Sequence, residues 1–190
     1  MNTLFPIYVK MDQIHTLLVG AGPVGLEKLQ AIFRNAPDAR VHIVAERVER
    51  EVHEFVADKK TVSLSQRSFE ENDLQNIDLV ILATNNTELN DRIRTLTATQ
   101  HILLNVADKP DLCDFYLGSV VQKGNLKIGI STNGKSPTMA KRLKEFLNDI
   151  LPEEIDETLT LMQQMRDQLK GDFHEKIRVL NAHTEGLVRK

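Results

Sequence analysis

The sequence predicts an α/β protein built on a parallel, doubly wound sheet, and three observations carry the prediction. Short apolar runs alternate with helical patterns up to residue 106, at the spacing of strand–helix–strand units. The run Leu17-Leu18-Val19 passes through a complete G-x-G-x-x-G, Gly20-Ala21-Gly22-Pro23-Val24-Gly25, and emerges as a helical pattern. The run Asp78–Thr84 is apolar at successive rather than alternate positions, as strands covered on both faces are.

Along the chain, Phe5–Met11 alternates loosely and predicts a strand, with Pro6 at its start, where a ladder donor is dispensable. Leu17–Val19 predicts the first buried strand. In the turn after it, Gly20 permits the tight bend, Gly22 lets a pyrophosphate approach the backbone, and Gly25 lets the helix pack close to the strand. Pro23 suits a first helical position, where its missing N–H costs little. Val24, Leu29, Ile32 and Phe33 share a helix face, and the helix should end near Arg34, before the loop Asn35–Asp38. A strand over Ala39–Ala45, a helix over Glu49–Asp58, a short strand over Thr61–Ser65 and a polar connector or short helix over Phe69–Leu74 follow. After the strand Asp78–Thr84, Thr87 is the expected cap of a helix over Glu88–Thr97, and His101–Val106 is another buried strand.

The pattern changes beyond Asp108. Phe115–Val121 and Leu126–Ser131 flank the turn residues Lys123-Gly124-Asn125 and predict a hairpin. Ser136 reads as an N-cap and Pro137 as the first helical residue, with Met139, Leu143, Phe146 and Leu147 on one side of a helix ending at Leu151. Glu153–Lys170 and Asp172–Val188 predict two further helices, split near Gly171.

A strand, a glycine turn and a helix in that order form the Rossmann-type dinucleotide signature: first-turn N–H groups and the positive helix end face the phosphates. Glu46 ends the next strand, about twenty residues on, where an acid binds the ribose hydroxyls of NAD. Arg47 beside it would instead favour the extra phosphate of NADP. Ligands of such sheets sit beyond the carboxyl ends of the strands. The glycines, Glu46, Thr84 and Asn105–Asp108 all fall at such ends. Asp108 there is either a base for proton removal or a turn residue. Asn105 either contacts cofactor or substrate or satisfies local backbone.

Composition narrows the class. The chain has 190 residues, a net charge of −3 and one cysteine, Cys113, so no bulk basic field invites nucleic acid and no internal disulfide is possible. No stretch reads as a signal peptide or a membrane span, so a cytoplasmic protein is expected. The six histidines show no metal-ligand spacing with one another or with Cys113, so no resident metal is expected.

Gly20-Ala21-Gly22-Pro23-Val24, then Asn105-Val106-Ala107-Asp108, then Ser131-Thr132-Asn133-Gly134-Lys135-Ser136-Pro137 resembles the precorrin-2 dehydrogenase family of sirohaem synthesis, in order, over roughly Phe5 to Leu151. The resemblance implies oxidation of precorrin-2 to sirohydrochlorin with NAD⁺, joined in some members by insertion of Fe²⁺. It implies a Rossmann domain (1–112), a small dimerisation and substrate domain (113–150) and a C-terminal helical segment (151–190), assembled as a homodimer. By position, Asp108 falls on the family's key aspartate, and Pro23, Val24, Glu46 and Arg47 on its cofactor contacts. Ser131 and Thr132 fall on its serine-rich loop near the substrate. Lys135, Lys141, Arg142 and the helix start at Ser136 are candidates for the substrate's carboxylate arms, or else form a solvated face and an ordinary cap. His174 and His183 are candidates to assist Asp108 in taking protons from the macrocycle, or else surface histidines. Ala21 replaces the middle of the family's usual three glycines, Gly25-Leu26-Glu27-Lys28 lacks an arginine common before that lysine, and Gly118 stands where proline is common.

The alternative reading is a non-catalytic NAD(H)-binding regulatory module. It uses the glycines and Glu46 equally well but gives Asp108 and the Ser131–Pro137 loop no role. A short-chain oxidoreductase is disfavoured, because no Tyr-x-x-x-Lys pair is present.

Overall fold

Strands that are apolar on both sides need a helical layer on each, and that requirement organises the first part of the chain. The computed structural model describes residue 2, residues 4–169 and residues 173–188. They fall into two compact units, Met1–Leu117 and Gly118–Lys190. The first holds β1 (His15–Ala21), α1 (Pro23–Asn35), β2 (Arg40–Val48), α2 (Arg50–Val56), β3 (Val62–Ser65), a 3₁₀ turn (Glu71–Leu74), β4 (Leu79–Leu82), α3 (Thr87–Gln100) and β5 (Leu103–Val106). The five strands pair in parallel in the order β3-β2-β1-β4-β5, the first five places of the doubly wound arrangement.

Neighbouring residues of one strand serve different cores. Leu18 joins Val41, Ile43, Leu79 and Ile81 beneath Leu29, Ile32 and Phe33 of α1 and Val52 of α2. Leu17 and Val19 join Val44, Val80, Leu82 and Leu104 beneath Ile93 of α3 on the other face. The register of β1 against β2 slips between Val19 and Ala21, so Gly20 is the irregular residue at the strand's end.

The expected strand over Phe5–Met11 does not form, and residues 4–10 are irregular. Alternation provides a face but no partner. β1 already has β2 and β4 as neighbours, and Phe5 stays 85% exposed. The cap of α3 is Asn86 rather than Thr87: its side chain accepts the Leu89 N–H at 3.0 Å.

In the second unit β6 (Ser119–Lys123) and β7 (Leu126–Ile130) form the antiparallel hairpin. α4 (Pro137–Ile150) packs on it through Ala140, and α5 (Ile155–Gln168) and α6 (Phe173–Val188) pack on each other. Gly118 allows the hairpin to close, since a Cβ there would stand 2.7 Å from the Ile130 carbonyl oxygen. The unit boundary lies beyond the expected break at 112/113, because residues 113–115 are hydrogen-bonded to β5. Gly171, the expected split between the last two helices, lies outside the described residues. No helix among the described residues is long and apolar enough to cross a membrane.

Candidate functional site

The glycines of the first turn are each constrained differently. Gly20 has φ +103°, and a Cβ there would come within 2.8 Å of the Ala83 carbonyl carbon at the end of β4. Gly25 is buried, and a Cβ there would sit 3.1 Å from the Gly20 carbonyl carbon. These two let strand and helix approach. Gly22 is different: its φ of −88° suits any residue, and a Cβ would meet nothing within 4 Å among the described residues. The fold leaves open space beside a backbone with no side chain, which fits close approach of a pyrophosphate. Gly22 is also the N-cap of α1, Pro23 opens the helix, Val24 follows, and no side chain caps the first turn. The positive helix end therefore faces that space, an arrangement suited to anionic phosphate.

Glu46 and Arg47 lie exposed near the end of β2. The Ser68 hydroxyl donates to Glu46 Oε1 at 2.7 Å and orients the carboxylate. Ser68 adjoins Arg67, whose guanidinium donates to both oxygens of Asp73 at 2.8 and 2.5 Å. Those hydrogen bonds hold the Asp73 carboxyl below its ordinary value, against the opposing effect of burial. Thr84, half-buried after β4, shapes the entry to α3: its hydroxyl accepts the Asn86 N–H at 3.0 Å and its carbonyl accepts the Asn90 side-chain amide at 3.1 Å.

Asp108 sits past β5 with φ +59°, exposed, in a turn closed by Lys109 N–H donating to the Val106 carbonyl. Ala107 N–H donates to the Leu82 carbonyl of β4 at 2.9 Å, so this turn lies at the carboxyl ends of β4 and β5. Lys109 Nζ donates to the Thr87 hydroxyl at 3.3 Å. Asn105 is buried, and its amide donates to the Phe115 carbonyl at 2.9 Å, which ties residue 115 to β5. Gly20, Gly22, Thr84 and Asp108 thus share one end of the first unit's sheet, with Glu46 at the corresponding end of β2.

The loop of the second unit is internally organised. Thr132 Oγ1 accepts the Ser136 N–H and donates to the Ser136 carbonyl, both at 3.2 Å. Ser136 Oγ accepts the Met139 N–H at 3.1 Å and caps α4, and Ser131 Oγ accepts the Asn133 N–H at 3.2 Å. Lys135 and Lys141 are exposed, and Arg142 pairs with Glu145 at 3.2 Å. Among the described residues no three His, Cys, Asp or Glu side chains form a metal-binding group. His174 is exposed on α6, and the side chain of His183 lies outside the described residues.

Ser68, Asn90, Cys113 and Asp114 shape this region and carry no motif of their own. Ser68 and Asp114 act through contacts more than ten residues away in sequence or across a returning chain, which spacing does not reveal.

Residues 7–119 match the family described as "Putative NAD(P)-binding", and residues 123–149 match the sirohaem biosynthesis protein central family. The chain is 34% identical over 173 residues to the siroheme synthase of Vesicomyosocius okutanii subsp. Calyptogena okutanii, covering 91% of this chain and 36% of that protein. It is 34% identical over 148 residues to the siroheme synthase of Nitrosococcus oceani, covering 78% of this chain and 31% of that one. The chain thus spans about a third of the length of the curated relatives it matches. Among solved structures, SirC, a precorrin-2 dehydrogenase, superimposes with a TM-score of 0.73 at 22% identity, covering 94% of this chain and 88% of that one; the likeness is one of fold.

Proposed function

The chain belongs to the putative NAD(P)-binding family, matched over residues 7–119, with the sirohaem biosynthesis protein central family matched over residues 123–149, and on that premise we propose that it oxidises precorrin-2 to sirohydrochlorin with NAD⁺, releasing NADH and a proton. The observation that carries the reading is the placement of Asp108. A carboxylate that makes no hydrogen bond or ion pair among the described residues stands on a left-handed turn at the same sheet end as the open Gly22 surface.

The bound nicotinamide supplies the hydride acceptor. Gly20 and Gly25 hold the turn, Gly22 admits the pyrophosphate, and the first turn of α1, with Pro23 and Val24, faces its charge. Glu46, steadied by Ser68, accepts the ribose hydroxyls and selects NAD⁺, with Arg47 alongside. Thr84 shapes the backbone at the end of β4, and Asn105 anchors the strand from which Asp108 projects. Asp108 accepts the proton released as the new double bond forms and passes it to solvent. Lys135, with Ser131, Thr132 and the helix start at Ser136, binds the carboxylate arms of the tetrapyrrole. A second copy of the chain covers the apolar stripe Met139, Leu143, Phe146 and Ile150, which is exposed on α4. Fe²⁺ enters this scheme as a substrate: Asp108 is the base for the macrocycle protons displaced when iron is inserted.

Anaerobic incubation with precorrin-2 and NAD⁺, followed by absorbance, tests the reading. NADH formation together with a sirohydrochlorin spectrum is the expected result. Fe²⁺ is then added, and conversion to sirohaem no faster than without protein would limit the activity to oxidation. Binding of NAD⁺ with precorrin-2 untouched would overturn the enzymatic reading in favour of an NAD(H)-binding regulatory module.

A further inference from the structure

We propose that Cys113 is a positioning residue for Asp108, its thiol joining the two ends of the turn that carries the carboxylate. The inference rests on the reading of Asp108 as the proton acceptor. Ala107 and Asp108 are the central residues of the turn Val106–Lys109, and of the two only Asp108 has positive φ. A left-handed third residue is the geometry of a type II turn, which favours glycine or asparagine there. Aspartate tolerates that conformation in turns but is not locked into it, so a constraint on the turn fixes where the carboxylate stands.

The Cys113 sulfur supplies that constraint. It lies 3.3 Å from the Val106 carbonyl oxygen and 3.3 Å from the Lys109 carbonyl oxygen, and it accepts the Val106 N–H at 3.2 Å. One atom contacts both the first and the fourth residue of the turn. A thiol can do this because it donates weakly and accepts weakly at the same centre. Burial pushes the Cys113 thiol up from its ordinary pKa, so it keeps the proton it donates.

Cys113 is held in turn by Pro110 and, through its neighbour Asp114, by β5. Its own N–H donates to the Pro110 carbonyl at 3.0 Å, and the next residue, Asp114, donates its N–H to the Leu104 carbonyl at 2.7 Å. The Asp114 carboxylate accepts the Leu104 N–H at 3.0 Å and the Arg94 guanidinium at 2.6 Å. Residues 113–115 therefore lie along β5 as a strap anchored to this edge strand and to α3. The strap brings the sulfur to the turn from a fixed direction. A sulfur that merely filled space would have no need of three backbone polar partners.

The test is steady-state oxidation of precorrin-2 by NAD⁺ with the full chain, comparing Cys113→Ala, Cys113→Ser and Asp108→Asn, with NAD⁺ affinity and thermal melting measured on each. Small misplacement of a catalytic group lowers turnover more than binding, so Cys113→Ala should lower kcat by about tenfold with KM and NAD⁺ Kd within about twofold. Cys113→Ser, which can donate and accept at the same place, should recover most of kcat. Cys113→Val replaces alanine if that variant does not fold, since it keeps the volume and loses the polar contacts. Wild-type kcat in Cys113→Ala alongside an inactive Asp108→Asn overturns the positioning role alone. Parallel loss of melting temperature, NAD⁺ affinity and kcat in both the alanine and serine variants also overturns it, by showing a packing role. Wild-type turnover in Asp108→Asn overturns the underlying reading of the reaction.

Discussion

Gly22 and Gly25 stand three positions apart and lack side chains for opposite reasons. Gly25 is closed in by the Gly20 carbonyl, whereas Gly22 faces open space. Gly25→Ala should therefore destabilise the first unit by about 1–3 kcal/mol, the range for overpacking, as read by urea denaturation. Gly22→Ala should cost about 1 kcal/mol or less in the same assay, since replacing a favoured N-cap residue by alanine typically costs about 1 kcal/mol. It should nevertheless weaken NAD⁺ binding severalfold, as read by fluorescence titration. Equal effects of the two substitutions on stability would contradict this division. Glu46 belongs to the same scale. A hydrogen bond to a charged group contributes about 1.5–3 kcal/mol, so Glu46→Ala should weaken NAD⁺ at least tenfold and narrow the preference over NADP⁺. An unchanged NAD⁺ Kd would remove Glu46 from the ribose site.

At the scale of elements, the segment between β3 and β4 acts as a support for β2. Arg67 grips Asp73 inside the 3₁₀ turn, and the neighbouring Ser68 is thereby presented to Glu46. Asp73 is ionised more readily in the folded chain than in the unfolded one. A depressed carboxyl stabilises above its unfolded pKa of about 4, and that contribution is lost as pH falls through the lower folded value. Asp73→Asn should thus be less stable than the parent near neutrality, and the gap should close in melts run at progressively lower pH below about 4. A gap that does not change with pH would mean that the pair contributes by shape alone. Sequence showed this element as a polar connector or short helix but not the Arg67–Asp73 pair within it, because an ion pair six residues apart across a turn has no periodic signature. The caps were legible in part. Ser136 was readable because a proline follows it, whereas Asn86 and Thr87 are adjacent capping residues and only geometry separates them.

Across the whole molecule, what was legible followed from local chemistry. The glycines, the doubly apolar strands and the placement of Asp108 after β5 are properties of short segments. What was not legible depended on the chain returning to itself: the strap at 113–115, the Ser68–Glu46 contact, and the failure of Phe5–Met11 to find a strand to pair with. The exposed α4 stripe is also a property of the whole, since Met139, Leu143, Phe146 and Ile150 repeat at helical spacing with Phe146 58% exposed. If a second copy covers it, Phe146→Glu should shift the chain from dimer to monomer in sedimentation velocity, and a monomeric parent chain would contradict the dimer directly.

The strap has one more consequence, for solubility. A rim strand of a parallel sheet presents a row of N–H and C=O groups that strands of other molecules can add to. On β5 the N–H and C=O groups of Leu104 and Val106 are occupied by Cys113 and Asp114 of the same chain. Intermolecular strand addition at that rim requires the strap to peel away first, so β5 is guarded against edge-to-edge aggregation by the same residues that hold the Asp108 turn.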